Sequence, residues 1–420
     1  MRILHVSQMY YPAVGGNEIH IKELSEKLVE LGEDVTVFTS NALYNSQFRF
    51  KSKKIDLLPR ENIREVNIRR FAINYRLQWF LFRFIPQIRG GYRLINIIFK
   101  DALDLLSGGP FVPKMIWEII RFKPDLVMAL NLSSSQSYFC YLAKKIRRFP
   151  LVVTPTLHIG YKWTEAPIIY EVMKSSDLIL ALTEYEKNYL VKKEIDANKI
   201  AVIGVGINPS NFTVKDGMSF RKKFKLEKEP IIAFIGRKDE GKGIDTLLDA
   251  MKYIWKKIPD ARLVLAGANT IYNEVIIKRI MALDPVEREK IIIIDNFRDE
   301  DKSDIFDGCD IYAMPSRVDS FGITYLEAWI HGKPVVACKN TAPSTIISDG
   351  EDGLLVEYGN EIDLANAINK LLSDGKMRKE FGERGRGKVL NNYTWDIIAN
   401  KIKQKYLDLV NGGNKLAYRK

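Results

Sequence analysis

The chain is poor in cysteine and histidine. Its three cysteines, Cys140, Cys309 and Cys338, lie far apart and form no CxxC pair. That spacing excludes a zinc-finger ligand set and a disulfide framework, so reduced thiols in a reducing compartment are expected. With only four histidines, no His/Cys/carboxylate cluster has metal spacing and no Ser-His-Asp set can be placed. No bound metal or cofactor is therefore expected. Long apolar runs are missing too: none approaches the roughly 18 residues of a spanning helix. Residues 2–7 read as a strand rather than the apolar core of a signal peptide, so a cytoplasmic location is expected. Short repeats and low-complexity segments are absent.

What is present is a globular composition, 46% hydrophobic and 28% charged over 420 residues, long enough for two domains. The net charge of +12 is partly local: residues 60–123 hold 12 Lys/Arg against 5 Asp/Glu, a net of +7. The same stretch carries Trp79, Phe80, Phe82, Phe84, Tyr92, Phe99, Phe111 and Trp117. Basic and aromatic residues together suit an anionic membrane surface or single-stranded nucleic acid. A helical insertion packing its aromatics into the first domain is the plainer alternative. No nucleic-acid partner is expected.

Short apolar strands alternate with helices along most of the chain. Strands are read at 2–7, 34–39, 126–130, 151–156, 178–182 and 200–203, and the pattern restarts at 231–235, 262–266, 291–295, 310–314 and 334–337. Continuous apolar strands between helices predict parallel sheets covered on both faces. The expected fold class is α/β, with two doubly wound Rossmann-like domains. They are placed at 1–207, with the basic aromatic insertion at about 60–123, and at 208–394. A helix from 395 to about 409, then a tail, completes the chain.

Three junctions carry chemistry. Gly236-Arg237-Lys-Asp-Glu-Gly241-Lys242-Gly243 follows a strand and opens a helix. Backbone amides, a helix N-terminus and two cations there can hold phosphate. The loop approaches the P-loop pattern but has Gly243 where a magnesium-binding hydroxyl belongs, while strand 291–295 ends in Asp295 as a P-loop partner would. The second junction, Pro315-Ser-Arg-Val-Asp319-Ser-Phe321-Gly322-Ile323-Thr-Tyr-Leu-Glu327, places two carboxylates around a helix start whose free amides can bind an anion. A ligand with both hydroxyls and phosphates fits it. The third is Gly15-Gly16-Asn-Glu18, between the first strand and helix, where paired glycines permit φ > 0 and close approach to a ligand. His158 closes strand 151–156, at the end of a parallel sheet where ligands gather.

These motifs together resemble glycosyltransferase family 4, of GT-B architecture. The resemblance rests on Asp319 and Glu327, eight apart with Phe321-Gly322 between them, on Arg237, Lys242 and Gly243, and on Gly15-Gly16-x-Glu18. It covers nearly the whole chain and is weakest from about 41 to 123. The family usually has Glu where this chain has Asp319, and often Pro-Glu where it has Pro343-Ser344.

The resemblance implies two domains facing across a cleft, with the last helix crossing back to the first. It implies retaining, metal-independent transfer of a sugar from a nucleotide-diphosphate sugar to a glycan or lipid-linked acceptor. Arg237 and Lys242 would grip the pyrophosphate, and Glu327 the ribose. The backbone of Phe297 and Arg298 would face the base. Asp319 and the amides of Phe321, Gly322 and Ile323 would orient the sugar. Gly15, Gly16 and His158 would approach the donor from the first domain. An inactive nucleotide-binding relative and a P-loop-like NTPase are the alternatives.

Overall fold

The computed structural model describes residues 1–48, 57–132, 134–295, 297 and 299–417, apart from 85–108. The chain forms two compact units, Met1–Gly206 with Trp395–Lys420, and Ile207–Thr394.

The first unit is built on strands β1 (Arg2–Val6), β2 (Asp34–Ser40), β3 (Arg60–Ile63), β4 (Val66–Phe71), β5 (Leu126–Leu130), β6 (Leu151–Thr154), β7 (Leu178–Ala181) and β8 (Ile200–Val202). They lie in the order β3-β4-β2-β1-β5-β6-β7-β8. All neighbours run parallel except β3 and β4, an antiparallel hairpin. Every residue of β5, β6 and β7 is buried, as a sheet covered on both faces requires.

The hairpin corrects the sequence reading. Residues 60–71 extend the central sheet through β4, which pairs with β2, and do not begin a helical insertion. Its turn residues, Arg64 and Glu65, have φ of 47° and 64°. Two successive positive φ values match the tight turn that suits the strand twist, usually built from Asn and Gly. With neither residue present, composition could not reveal it.

In the second unit, β9 (Ile231–Ile235), β10 (Arg262–Gly267), β11 (Ile291–Asp295), β12 (Ile311–Ala313), β13 (Val335–Cys338) and β14 (Gly353–Val356) form one parallel sheet. The order is β11-β10-β9-β12-β13-β14. The chain winds outward from β9, then returns to the other side at β12. A crevice opens beyond the strand ends at such a reversal, and ligands of doubly wound sheets bind there.

The last helix, Trp395–Ala417, belongs to the first unit. Its Lys403 pairs with Glu33 at 2.8 Å and donates to the Leu31 carbonyl at 2.6 Å. Trp395 is buried and meets His20 edge-on, with ring centres 5.2 Å apart. The helix continues past Gly412, beyond the predicted stop near 409. A helical glycine costs only about 1 kcal/mol and need not end a helix.

Among the described residues no helix is long and apolar enough to cross a membrane. The basic aromatic stretch divides: Phe111 is buried, whereas Trp79 and Trp117 are 59% and 60% exposed. Tyr92 and Phe99 lie outside the described residues, as do the side chains of Phe80, Phe82 and Phe84.

Candidate functional site

Two loops meet at the reversal between β9 and β12. The first, residues 236–243, leaves β9 and enters the helix Ile244–Lys257. Gly243 stands at its N-cap with φ of 80°, and a Cβ there would lie 2.1 Å from the Pro315 carbonyl oxygen. Glycine is needed on both counts: the left-handed backbone and the crossing of the second loop. The second loop leaves β12 and enters the helix Ile323–Ile330 through Gly322, with φ of 95°.

Lys242 and Asp319 join the loops. The Lys242 ammonium donates to Asp319 Oδ2 at 2.8 Å, with side chains 13% and 12% exposed. Asp319 Oδ1 accepts the Ser320 amide at 3.0 Å. Asp319 therefore holds Lys242 at the loop crossing. Phe321 is buried against Tyr393, with ring centres 5.9 Å apart, which fixes the chain entering the helix. The amides of Phe321, Gly322 and Ile323 donate to no described residue.

Arg237 is different. Its side chain is 63% exposed and pairs with Asp239 at 3.1 Å. An exposed pair is worth about 0–1 kcal/mol, so a phosphate can draw the guanidinium away at small cost.

Glu327 is buried on the helix Ile323–Ile330. Its Oε1 accepts from Lys302 at 2.9 Å, while Oε2 is buried and has no partner among the described residues. Phe297 lines a cavity of about 70 Å³ with Phe220, Phe224, Ile294 and Ile305. Arg298 lies outside the described residues.

Two features escaped the sequence reading. Lys238, beside Arg237, is fully buried and bonds to Asp295 and to Asn269, tying together the ends of β9, β10 and β11. Burial would raise the Asp295 carboxyl, but the bonds from Lys238 and Asn269 hold it below its ordinary value. Asp295 is thus a structural anion, not the metal-side partner of a P-loop. Nothing in the sequence marks Lys238 as buried among charged neighbours.

The second is Glu186 in the first unit. It accepts the Leu157 and Leu182 amides, both at 2.8 Å, and so pins the loop carrying His158 to the end of β7. His158 itself is partly buried, its ring centre 6.4 Å from that of Tyr161. Burial raises the Glu186 carboxyl to about 7, against the lowering effect of the two amides. The folded state thus holds a proton that the unfolded chain releases near its ordinary pKa. This group's stabilisation is complete below about pH 4.5 and fades as pH rises through 7. Glu186→Gln should remove that dependence, worth about 3 kcal/mol at its full extent. Denaturation midpoints of wild type and variant, compared at pH 5 and pH 8, should differ by unequal amounts. A constant offset would show that Glu186 does not titrate there.

Gly15 and Gly16 also need correction. Gly15 has φ of 176°, extended backbone open to any residue, and Gly16 does not adopt positive φ. A Cβ at Gly15 would lie 2.3 Å from Glu18 Oε2, the far end of a side chain that can turn aside, so neither backbone nor space demands glycine there.

Sequence comparison assigns the class of protein. The profile described as "Glycosyl transferases group 1" matches residues 216–388, and that described as "Glycosyltransferase Family 4" matches residues 14–211. The chain belongs to glycosyltransferase family 4, with the GT-B fold, and is a glycosyltransferase.

Among its relatives is a D-inositol 3-phosphate glycosyltransferase of Corynebacterium diphtheriae, 28% identical over 57% of each chain. An uncharacterised glycosyltransferase of Methanocaldococcus jannaschii is 23% identical over 97% of this chain and 99% of its own. Of the solved structures, sucrose-phosphate synthase from Thermosynechococcus elongatus superposes with a TM-score of 0.74 at 20% identity, covering 98% of this chain and 99% of that one. Anabaena HepE, solved in complex with UDP-glucose, gives 0.72 at 17% identity over 96% and 98%.

Proposed function

We propose that the protein transfers a sugar from a nucleotide-diphosphate sugar to an acceptor hydroxyl with retention and without a metal. The observation that carries this is Lys242, partly buried and held by Asp319 where the β9 and β12 loops cross. A fixed cation among free amides at a helix start is suited to a leaving diphosphate. Arg237 closes on the same group after leaving Asp239. Glu327 takes the ribose hydroxyls, and the backbone at Phe297 and Arg298 faces the base. Asp319 and the amides of Phe321, Gly322 and Ile323 orient the sugar. The acceptor hydroxyl attacks on the face the diphosphate leaves. Anabaena HepE, solved with UDP and with UDP-glucose, supports a nucleotide-sugar donor.

A panel of UDP-, GDP- and ADP-sugars, with and without EDTA, tests the reading. Slow donor hydrolysis, seen as nucleoside diphosphate release, should persist in EDTA. Complete loss on chelation, restored by magnesium or manganese, would overturn the metal-free mechanism.

The acceptor is a glycan or lipid-linked hydroxyl at the cytoplasmic face of a membrane. Support comes from the net +7 of residues 60–123 and the exposed Trp79 and Trp117. Basic residues near an anionic surface contribute about 1 kcal/mol each before screening. The protein should co-sediment with phosphatidylglycerol vesicles at low salt and be released at 1 M, where the Debye length is about 3 Å. Equal sedimentation with neutral vesicles, or none with either, would leave the stretch a packing element.

A further inference from the structure

The geometry points to Lys302 as the positioning residue that gives Glu327 its ligand-binding form, an inference resting on the ribose role of Glu327 proposed above. Lys302 lies on the helix Asp299–Gly308 after β11, and Glu327 on the helix Ile323–Ile330 after β12. Their side chains are 18% and 9% exposed and meet at 2.9 Å.

The two carboxylate oxygens are treated unequally. Oε1 is taken by the ammonium, while Oε2 is buried and accepts from no described residue. A buried acceptor without a donor is costly, and such groups in native structures call for an explanation. A ligand hydroxyl supplies the missing donor.

Lys302 prepares Glu327 for that hydroxyl: its bond to Oε1 selects the rotamer that leaves Oε2 for the ligand. A helix tie alone would not need Lys302, because the same two elements are already joined by the buried His331–Asp307 pair at 2.6 Å. Asp307 follows on the helix of Lys302, and His331 caps the helix of Glu327.

Calorimetric titration with UDP, GDP and ADP, and with their 2′-deoxy and 3′-deoxy forms, tests this without a sugar in the ligand. For the base that binds, wild type should lose at least tenfold in affinity when one ribose hydroxyl is removed. Lys302→Met, which keeps the apolar stem, should shrink that loss to within threefold, and Lys302→Arg should retain it. If the Met variant does not fold, Lys302→Gln carries the test, with discrimination expected to fall at least threefold. Discrimination equal to wild type in the variant tested, while Glu327→Gln has lost it, would overturn the role of Lys302 alone. A wild type that ignores the ribose hydroxyls, or a Glu327→Gln variant that still reads them, would overturn the ribose role of Glu327 and the Lys302 assignment with it.

Discussion

Lys242→Ala is expected to lower kcat by roughly 10²–10³, the usual effect of removing one preorganised group that stabilises developing charge. The leaving diphosphate gains negative charge as the glycosidic bond breaks, and Lys242 is the fixed cation at the loop crossing. The substitution has a second effect. It strands Asp319, whose side chain is only 12% exposed, without its cation. Losing one partner of a buried pair typically costs about 3–5 kcal/mol of stability, and this partly buried pair should lose a fraction of that. The double variant Lys242→Ala/Asp319→Ala separates the two effects. It should recover much of the stability, because no partly buried charge is left unpaired, but none of the turnover. Arg237→Ala should lower kcat by a comparable factor with little change in stability, since its pair with Asp239 is exposed. Turnover within threefold of wild type in both single variants would show that the leaving diphosphate is not held at this loop.

The apolar strands and the charged strand-to-helix junctions were legible because each is local. Four consecutive isoleucines at 291–294 and the run Ile231-Ile-Ala-Phe-Ile235 both read as strands; the second is fully buried, and the first is a half-buried edge strand. Glycine beside Lys242 and before Ile323 marks loops that must cross or turn sharply, and the structure shows both. The contacts that set side-chain charge are non-local, and no spacing announces them. Lys302 and Glu327 are separated by an entire strand and loop, and in sequence Lys302 reads as one charge among many on a solvated helix start. Lys238 reads as a second exposed cation beside Arg237, yet it is fully buried against Asp295. Glu186 resembles any acid in a helical first turn, and only folding brings the Leu157 amide to it. The Arg64-Glu65 turn was hidden for the opposite reason. Its backbone is one that Asn and Gly favour, and the residues present conceal it.

Asp319→Glu is expected to slow transfer by on the order of 10²-fold, because one added methylene moves the carboxylate by about 1 Å and misplacements of that size carry such penalties. Both oxygens of Asp319 are engaged, one by Lys242 at 2.8 Å and one by the Ser320 amide at 3.0 Å. A longer side chain cannot keep both bonds unless the loop shifts. If the ammonium follows the carboxylate, it leaves the position suited to the diphosphate, and kcat falls whichever sugar the donor carries. If instead the loop yields and Lys242 stays, the change falls on the sugar, and donors should be affected unequally. Kinetics across a panel of nucleotide-sugars distinguish these outcomes. A uniform loss assigns Asp319 to the placement of Lys242, and a donor-dependent loss assigns it to the sugar. Asp319→Asn serves as the control, since it keeps the length and removes the charge. It should weaken the hold on Lys242 without displacing the side chain, so its loss should be independent of the sugar. Unchanged kinetics in Asp319→Glu with every donor would remove Asp319 from the site altogether.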